Sequence, residues 1–135
     1  MSATVETEGL TRITLDRTPP SLNQVGARGY RGEFHRRKKG WQQLLEGELM
    51  LGTAQGAMPR PVGAVVVSGV LEFPTNRRRD EGNFRSLLEK ALGDALKNGG
   101  WIEDDTPEHY RFERLELVGG CVEERTVLNL RWELP

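Results

Sequence analysis

The chain is poor in the residues that staple or metallate small domains, with one cysteine, Cys121, and two histidines, His35 and His109. A lone cysteine excludes an internal disulfide. It reads as a small residue beside the Gly119-Gly120 turn of a reduced, intracellular protein. Two histidines and one cysteine cannot close a four-ligand zinc site unaided, and each histidine reads more simply as an ordinary polar residue. Long apolar runs are lacking too. The longest, near Val65 to Leu71, is broken by Ser68 and Gly69, well short of the roughly 18 residues of a membrane helix. The opening MSATVETEGL carries acids where a secretory signal needs positive charge, so the expected compartment is the cytoplasm. Internal repeats and low-complexity tracts are absent as well. Net charge is nearly absent: 19 Lys and Arg against 20 Asp and Glu leave −1, so composition alone does not mark a nucleic-acid binder.

What is present fits one domain, 1–135. Of the 135 residues, 36% are hydrophobic and 29% charged, enough for a core and too charged for a membrane protein. The near-zero charge hides a split: residues 1–39 carry +4, residues 40–100 carry 0 and residues 101–135 carry −5. Fifteen of the basic residues are Arg, the side chain suited to bidentate phosphate contacts.

Residues 1–9 are polar and are expected to form a flexible tail. Leu10 to Asp16 alternates and predicts a short strand, which Pro19-Pro20 ends. Trp41, Leu44, Leu45 and Leu49 recur at three- and four-residue spacing, predicting a helix over about Phe34 to Leu51, although Gly40 and Gly47 weaken it. Gly56 to Pro61 reads as a linker-like turn. Val62 to Phe73 is rich in β-branched residues and predicts a central strand. Phe84, Leu87, Leu88, Ala91, Leu92, Ala95 and Leu96 keep one face of a second helix, with Asp80 at its cap and Gly99-Gly100 as its stop. Strands over about Tyr110 to Val118 and Glu123 to Leu134 follow, read as a hairpin across Gly119-Gly120-Cys121. The expected class is α/β (α+β), in β-α-β-α-β-β order with a mixed sheet.

Three constellations could carry chemistry. Arg77-Arg78-Arg79-Asp80 lies between a central strand and a helix, the junction where open α/β sheets gather ligands. Asp104-Asp105 is an adjacent carboxylate pair, whose oxygens suit Mg²⁺. Asn83, Lys90 and Asp94 lie along one flank of the second helix. Each also has a plain structural reading: a capping aspartate, a solvated turn, and an i, i+4 surface pair worth a few tenths of a kcal/mol.

Taken in order, Pro19-Pro20-Ser21-Leu22-Asn23, the arginine run ending in Asp80, Asn83, KALGDAL from Lys90, Asp104-Asp105 and Tyr110-Arg111 resemble the RusA-type Holliday junction resolvases. The likeness covers roughly residues 10 to 118 and rests on joint order and spacing, since no single motif is specific. It implies a homodimeric, Mg²⁺-dependent (or Mn²⁺-dependent) endodeoxyribonuclease that cuts four-way DNA junctions, with no membrane partner and no small-molecule cofactor. Carried over, Asp80 matches the first aspartate of the family's Asp-x-Asp-Asn, and Asp105 the second of its paired aspartates beside Asp104. Lys90 and Asp94 match its Lys-x-x-x-Asp-Ala-Leu. Two positions depart: Gly82 replaces the second aspartate, and Asn83 and Lys90 stand seven apart instead of three. Four extra residues turn a helix by about 400°, which keeps the lysine's face but moves it one turn away.

On this resemblance Asp80, Asp104 and Asp105 would hold the metal, with Lys90 at the leaving oxygen and Asn83 and Asp94 in support. Arg77, Arg78 and Arg79, with Arg28, Arg31, Arg36, Arg37, Lys38 and Lys39, would hold DNA backbone. Geometry sets a condition. A helix over residues 81–97 is about 25 Å long, and residues 98–105 reach back at most roughly 26 Å. Asp105 therefore meets Asp80 in one subunit only if that return is nearly straight; otherwise the two meet across a dimer. Two rivals stay open: a RusA-like DNA binder that has lost catalysis through Gly82, and a protein-interaction domain using the acidic last third.

Overall fold

The computed structural model describes residues 2–5, 9–21, 30–54 and 64–133. The elements run β1 (Ser2–Val5), β2 (Leu10–Leu15), α1 (Tyr30–Ala54), β3 (Ala64–Glu72), α2 (Gly82–Asn98), β4 (Tyr110–Val118) and β5 (Arg125–Glu133). One five-stranded mixed sheet has the order β1-β2-β5-β3-β4. Only β3 and β4 are parallel, joined by α2 as a β-α-β unit. From β2 onward this is the expected β-α-β-α-β-β order. The added element is β1: the stretch expected as a flexible tail contributes Ser2–Val5 as an antiparallel edge strand on β2. The Gly56 to Pro61 turn lies outside the described residues.

The hairpin between the last two strands does not form. β4 pairs with β3 in parallel, and β5 pairs antiparallel with β2 and with β3, so β3 lies between them. β3 is the most apolar strand, with Val65, Val67 and Leu71 wholly buried, and it gains a ladder on both edges only by this arrangement. The Gly119 to Cys121 segment instead crosses the end of β3, where Cys121 N–H donates to Phe73 O at 2.9 Å. A Cβ on Gly119 would stand 2.9 Å from Thr75 O, so a side chain there would jam the crossing.

Both helices lie on one face of the sheet. Trp41, Leu45 and Leu49 of α1 and Leu87, Leu88, Leu92 and Leu96 of α2 share a core with Ile13, Leu15, Val67, Phe112, Leu128 and Leu130. The buried residues of α2 include all seven of the expected stripe, plus Gly93. Gly93 has a packing reason: a Cβ there would come within 2.9 Å of the Tyr110 ring. Burial pushes the Tyr110 phenol well above its usual pKa, with Glu89 adding to the effect. The phenol is satisfied by donating to Glu89 O at 2.7 Å. α1 extends past the expected limits at both ends, and Gly40 and Gly47 sit on its exposed side, costing propensity but no packing.

α2 stops as its glycines demand. Gly100 adopts φ +78° and donates to Lys97 O at 3.1 Å, while Trp101 N–H reaches Leu96 O at 3.0 Å, a Schellman closure. A Cβ on Gly99 would lie 1.9 Å from the Trp101 ring, so glycine is required for the indole to fold back. That buried indole anchors the loop carrying Asp104 and Asp105.

Candidate nucleic-acid interface

The carboxyl end of β3 opens into a cleft of about 1290 Å³. Its walls come from four distant parts of the chain. Thr18 to Ser21 form one side, Arg37 and Trp41 of α1 another, the stretch from Phe73 into the start of α2 at Phe84 the floor, and Glu124 the fourth part. The proline pair, the arginine run, Asp80 and Asn83, singled out separately in the sequence, therefore line one concavity.

Arg79 holds the floor in shape. Its guanidinium lies 3.8 Å from the Phe73 ring centroid, and Phe73 packs on Phe84 at 5.4 Å. Arg79 also donates to Thr75 O at 3.1 Å, Arg77 O at 3.2 Å and Thr75 Oγ1 at 2.6 Å. Partial desolvation, then the charge of Arg77, lowers its pKa below the ordinary guanidinium value. Arg77 and Arg78 are exposed, and no carboxylate among the described residues pairs with them. Two guanidinium groups are thus left facing solvent on a loop that the third has fixed.

Asp80 sits at the start of α2, where its Oδ1 accepts from Gly82 N–H at 3.0 Å and its carbonyl from Asn83 N–H at 3.1 Å. The residue at the formal cap position is Glu81, which makes no side-chain capping bond. Asp80 therefore does a cap's work from one residue earlier, leaving its other oxygen open to the cleft. A Cβ on Gly82 would meet Asp80 Oδ1 at 3.5 Å, an ordinary contact.

The remaining expected site residues gather elsewhere. Lys90 Nζ lies 3.3 Å from Asp94 Oδ1 and 3.2 Å from Asp105 Oδ2. Lys38, from α1, reaches Asp94 Oδ2 at 2.8 Å and Gln42 Oε1 at 3.4 Å. Lys38, Asp94, Lys90 and Asp105 thus form one chain of alternating charge, tying α1 to α2 and α2 to the following loop. Hydrogen bonding to Asp105, against some desolvation and helped by Asp94, raises the pKa of Lys90. Burial works against the Asp94 carboxylate, but Lys38 and Lys90 outweigh it and hold its pKa below the usual value. Asp104 accepts from Lys97 at 3.1 Å and from Asp105 N–H at 2.9 Å; the lysine foremost, then that amide, depress its pKa.

Asp80 and Asp105 do not meet within one chain. Asp105 lies against Gly93, with its Cβ 3.4 Å from where a Gly93 Cβ would be. Gly93 is eleven residues past Gly82, about 16 Å along the helix. The return of residues 98–105 goes only part of the way back, because Trp101 folds onto the helix end. Among the described residues, no three His, Cys, Asp or Glu side chains converge closely enough to hold a metal ion.

The basic segment is likewise divided. Arg36 and Arg37 both pair with Glu33, the latter at 2.8 Å, and Arg37 also reaches the cleft. Lys39 is exposed. Lys38, expected on the DNA path, is turned inward at 8% exposure and spent on Asp94. Arg28, the side chain of Arg31, and Leu22-Asn23 lie outside the described residues.

Two residues escaped the sequence reading. Glu124 accepts from Thr18 N–H at 2.8 Å and from its hydroxyl, pinning the proline wall of the cleft; nothing in its local sequence announces this. Arg85 bridges Glu81 at 3.2 Å and Glu89 at 3.0 Å and donates to Phe112 O, clamping α2 to β4. Its i±4 carboxylates were a readable signal. No described helix is long and apolar enough to cross a membrane. No family model matches the chain, and no curated protein matches it either.

Proposed function

We propose that the chain is a RusA-like endodeoxyribonuclease, dependent on Mg²⁺ or Mn²⁺, acting as a homodimer on four-way DNA junctions. The supporting observation is the convergence of Arg37, Arg77, Arg78, Asp80 and the Pro19-Pro20-Ser21 wall on one cleft. Unpaired guanidinium groups on a pre-shaped loop suit a phosphate backbone. Backbone contact without base reading suits a substrate chosen by its shape.

Within one chain the donor set does not fit a divalent ion. Asp80 brings one open oxygen to the cleft, and Asp104 and Asp105 are engaged by Lys97 and Lys90. A hydrolytic site therefore requires carboxylates from two subunits, which is the role of the dimer in this proposal. The second reading is a DNA binder without hydrolysis, favoured by Gly82 at the aspartate position and by the lysine engagement of Asp104 and Asp105.

Incubating the chain with labelled junction and duplex DNA, with and without Mg²⁺, separates the two. Paired nicks in the junction only with metal are expected, lost in Asp80→Asn and Asp105→Asn while binding persists. Binding without cleavage in Mg²⁺ and Mn²⁺ leaves the binder alone standing. Failure to bind either DNA removes both.

A further inference from the structure

Arg79 differs from the two arginines before it in what its side chain has left to offer. Three hydrogen bonds, to Thr75 O, Arg77 O and Thr75 Oγ1, hold the edge of its guanidinium to the loop. A guanidinium grips phosphate through that edge, with two parallel N–H groups. Arg79 could do so only by giving up bonds that shape the loop.

Its faces are placed differently. Phe73 covers one of them at 3.8 Å, and Phe84 backs Phe73 at 5.4 Å. The pile has a fixed base. Phe73 N–H donates to Val118 O at 2.8 Å, Phe73 O accepts from Cys121 N–H at 2.9 Å, and Phe84 belongs to the first turn of α2. Both rings are buried, at 7% and 8% exposure, so the guanidinium is the outermost flat group. Arg79 keeps part of its surface exposed and lines the cleft. With one face on Phe73 and the edge bonded to the loop, what remains is chiefly the second face.

A flat cationic face with an aromatic ring behind it suits another flat π-system. Nucleobases stack on arginine planes as they do on aromatic rings. Inside a continuous duplex each base face is covered by its neighbour, and uncovering one costs unstacking energy. A face comes free where stacking is interrupted, as at a branch point. The cleft, at about 1290 Å³, exceeds the roughly 300–1,000 Å³ of sites that enclose small ligands, so it has room for a nucleotide as well as phosphates.

We propose that the open face of Arg79 is a stacking platform for an unstacked nucleobase, the one freed where strands exchange at a branch point. The proposal rests on the DNA-binding reading above and deepens it. Arg77 and Arg78 hold backbone, and Arg79 selects the place on the DNA where a base face is free. Stacking tolerates any base, so the platform adds preference for structure without preference for sequence.

The test uses four-way junctions with one unpaired thymine at each crossover, or an abasic nucleotide in its place, in EDTA over a range of KCl concentrations. The two junctions carry the same phosphates and differ only in the base. The wild-type chain should bind the thymine junction about tenfold more tightly than the abasic one. Arg79→Lys keeps the charge and removes the plane, so it should bind both alike with a salt slope like that of the wild type. Each ratio is taken within one protein, so a loop loosened by the substitution lowers both affinities and leaves the comparison intact. A wild-type chain that binds both junctions equally, or an Arg79→Lys variant that keeps the preference, overturns the proposal and leaves the cleft as a backbone site. A wild-type chain that binds no DNA removes the proposal together with the function it rests on, whereas one that binds but never cuts leaves the base comparison decisive.

Discussion

The two ends of α2 carry the same kinds of side chain and use them in opposite ways. At its start, Arg77 and Arg78 stand exposed without carboxylate partners, and Asp80 spends one oxygen on the helix and keeps the other open. Along its later turns Lys90 and Lys97, with Lys38 reaching across from α1, are each matched to an aspartate within 3.3 Å. The first arrangement holds charge that only an outside partner can neutralise; the second neutralises itself and links helix to helix. Density of charge does not distinguish a binding surface from a structural strut. Whether the charge is already matched does.

The largest expected effect removes the support common to both ends. Leu92 is wholly buried on α2, and Leu92→Ala should cost about 2–5 kcal/mol in urea unfolding. A loss under about 1 kcal/mol would mean that α2 is not packed as described. Next comes the open end. Arg77→Ala, Arg78→Ala and Arg79→Ala combined should flatten the salt slope of DNA binding by up to about 2.7 and weaken binding roughly a hundredfold. An unchanged slope would place the backbone elsewhere.

The matched end should respond in stability instead. Lys38→Met leaves Asp94 partly buried with one lysine fewer and should cost about 1–3 kcal/mol, with the partial exposure of the pair keeping it below a buried-pair value. The pH dependence gives a sharper reading. Because the pKa of Asp94 is depressed, its contribution is fully present above its ordinary 3.8 and is lost as pH falls through the folded-state value. The pKa of Lys90 is raised, so its contribution is present below 10.5 and is lost as pH rises through the folded-state value. The penalty of Lys38→Met should therefore shrink on acidification below pH 3.8 and hold through neutrality; a penalty constant through the acid range would detach Asp94 from it. The smallest effect on stability belongs to Gly82→Asp, which adds a carboxylate at an exposed position with room for a Cβ. It should change stability by under about 1 kcal/mol, since exposed helix-start aspartates are tolerated. It should also raise any Mg²⁺-dependent cleavage, and no gain would count against Asp80 as a metal ligand.

Local patterns made most of the fold readable. The seven-residue stripe of α2 and the β-branched run of β3 each bury what their periodicity says, because one helix face and one strand face meet a single core. The partner of β5 was not readable. Gly119-Gly120-Cys121 has the look of a tight turn, and only the competition for the two edges of β3 decides that the segment is a crossing. The cleft was half legible: the Pro19-Pro20 stop and the arginine run are conspicuous, but their meeting depends on Glu124 reaching Thr18 across 106 positions. Asp80 and Asp105 were put together by the resemblance, and one subunit could hold both only if residues 98–105 ran back nearly straight; the folding of Trp101 onto Gly99 prevents that. Lys38 was expected on the DNA path with its basic neighbours, and its inward turn follows from Asp94 on the other helix, which spacing within α1 cannot reveal.

The place of β5 bears on how the molecule is made. Emerging last among the described strands, it slots between β2 and β3 and joins two otherwise separate halves of the sheet. Until it is synthesised, β2 and β3 each present an unpaired edge, and the nascent chain can build a helical layer but cannot close its sheet. Such late, long-range closure makes for slow folding and a sticky precursor. A chain cut short before β5 should therefore aggregate, whereas a substitution in an exposed loop should leave the sheet able to close.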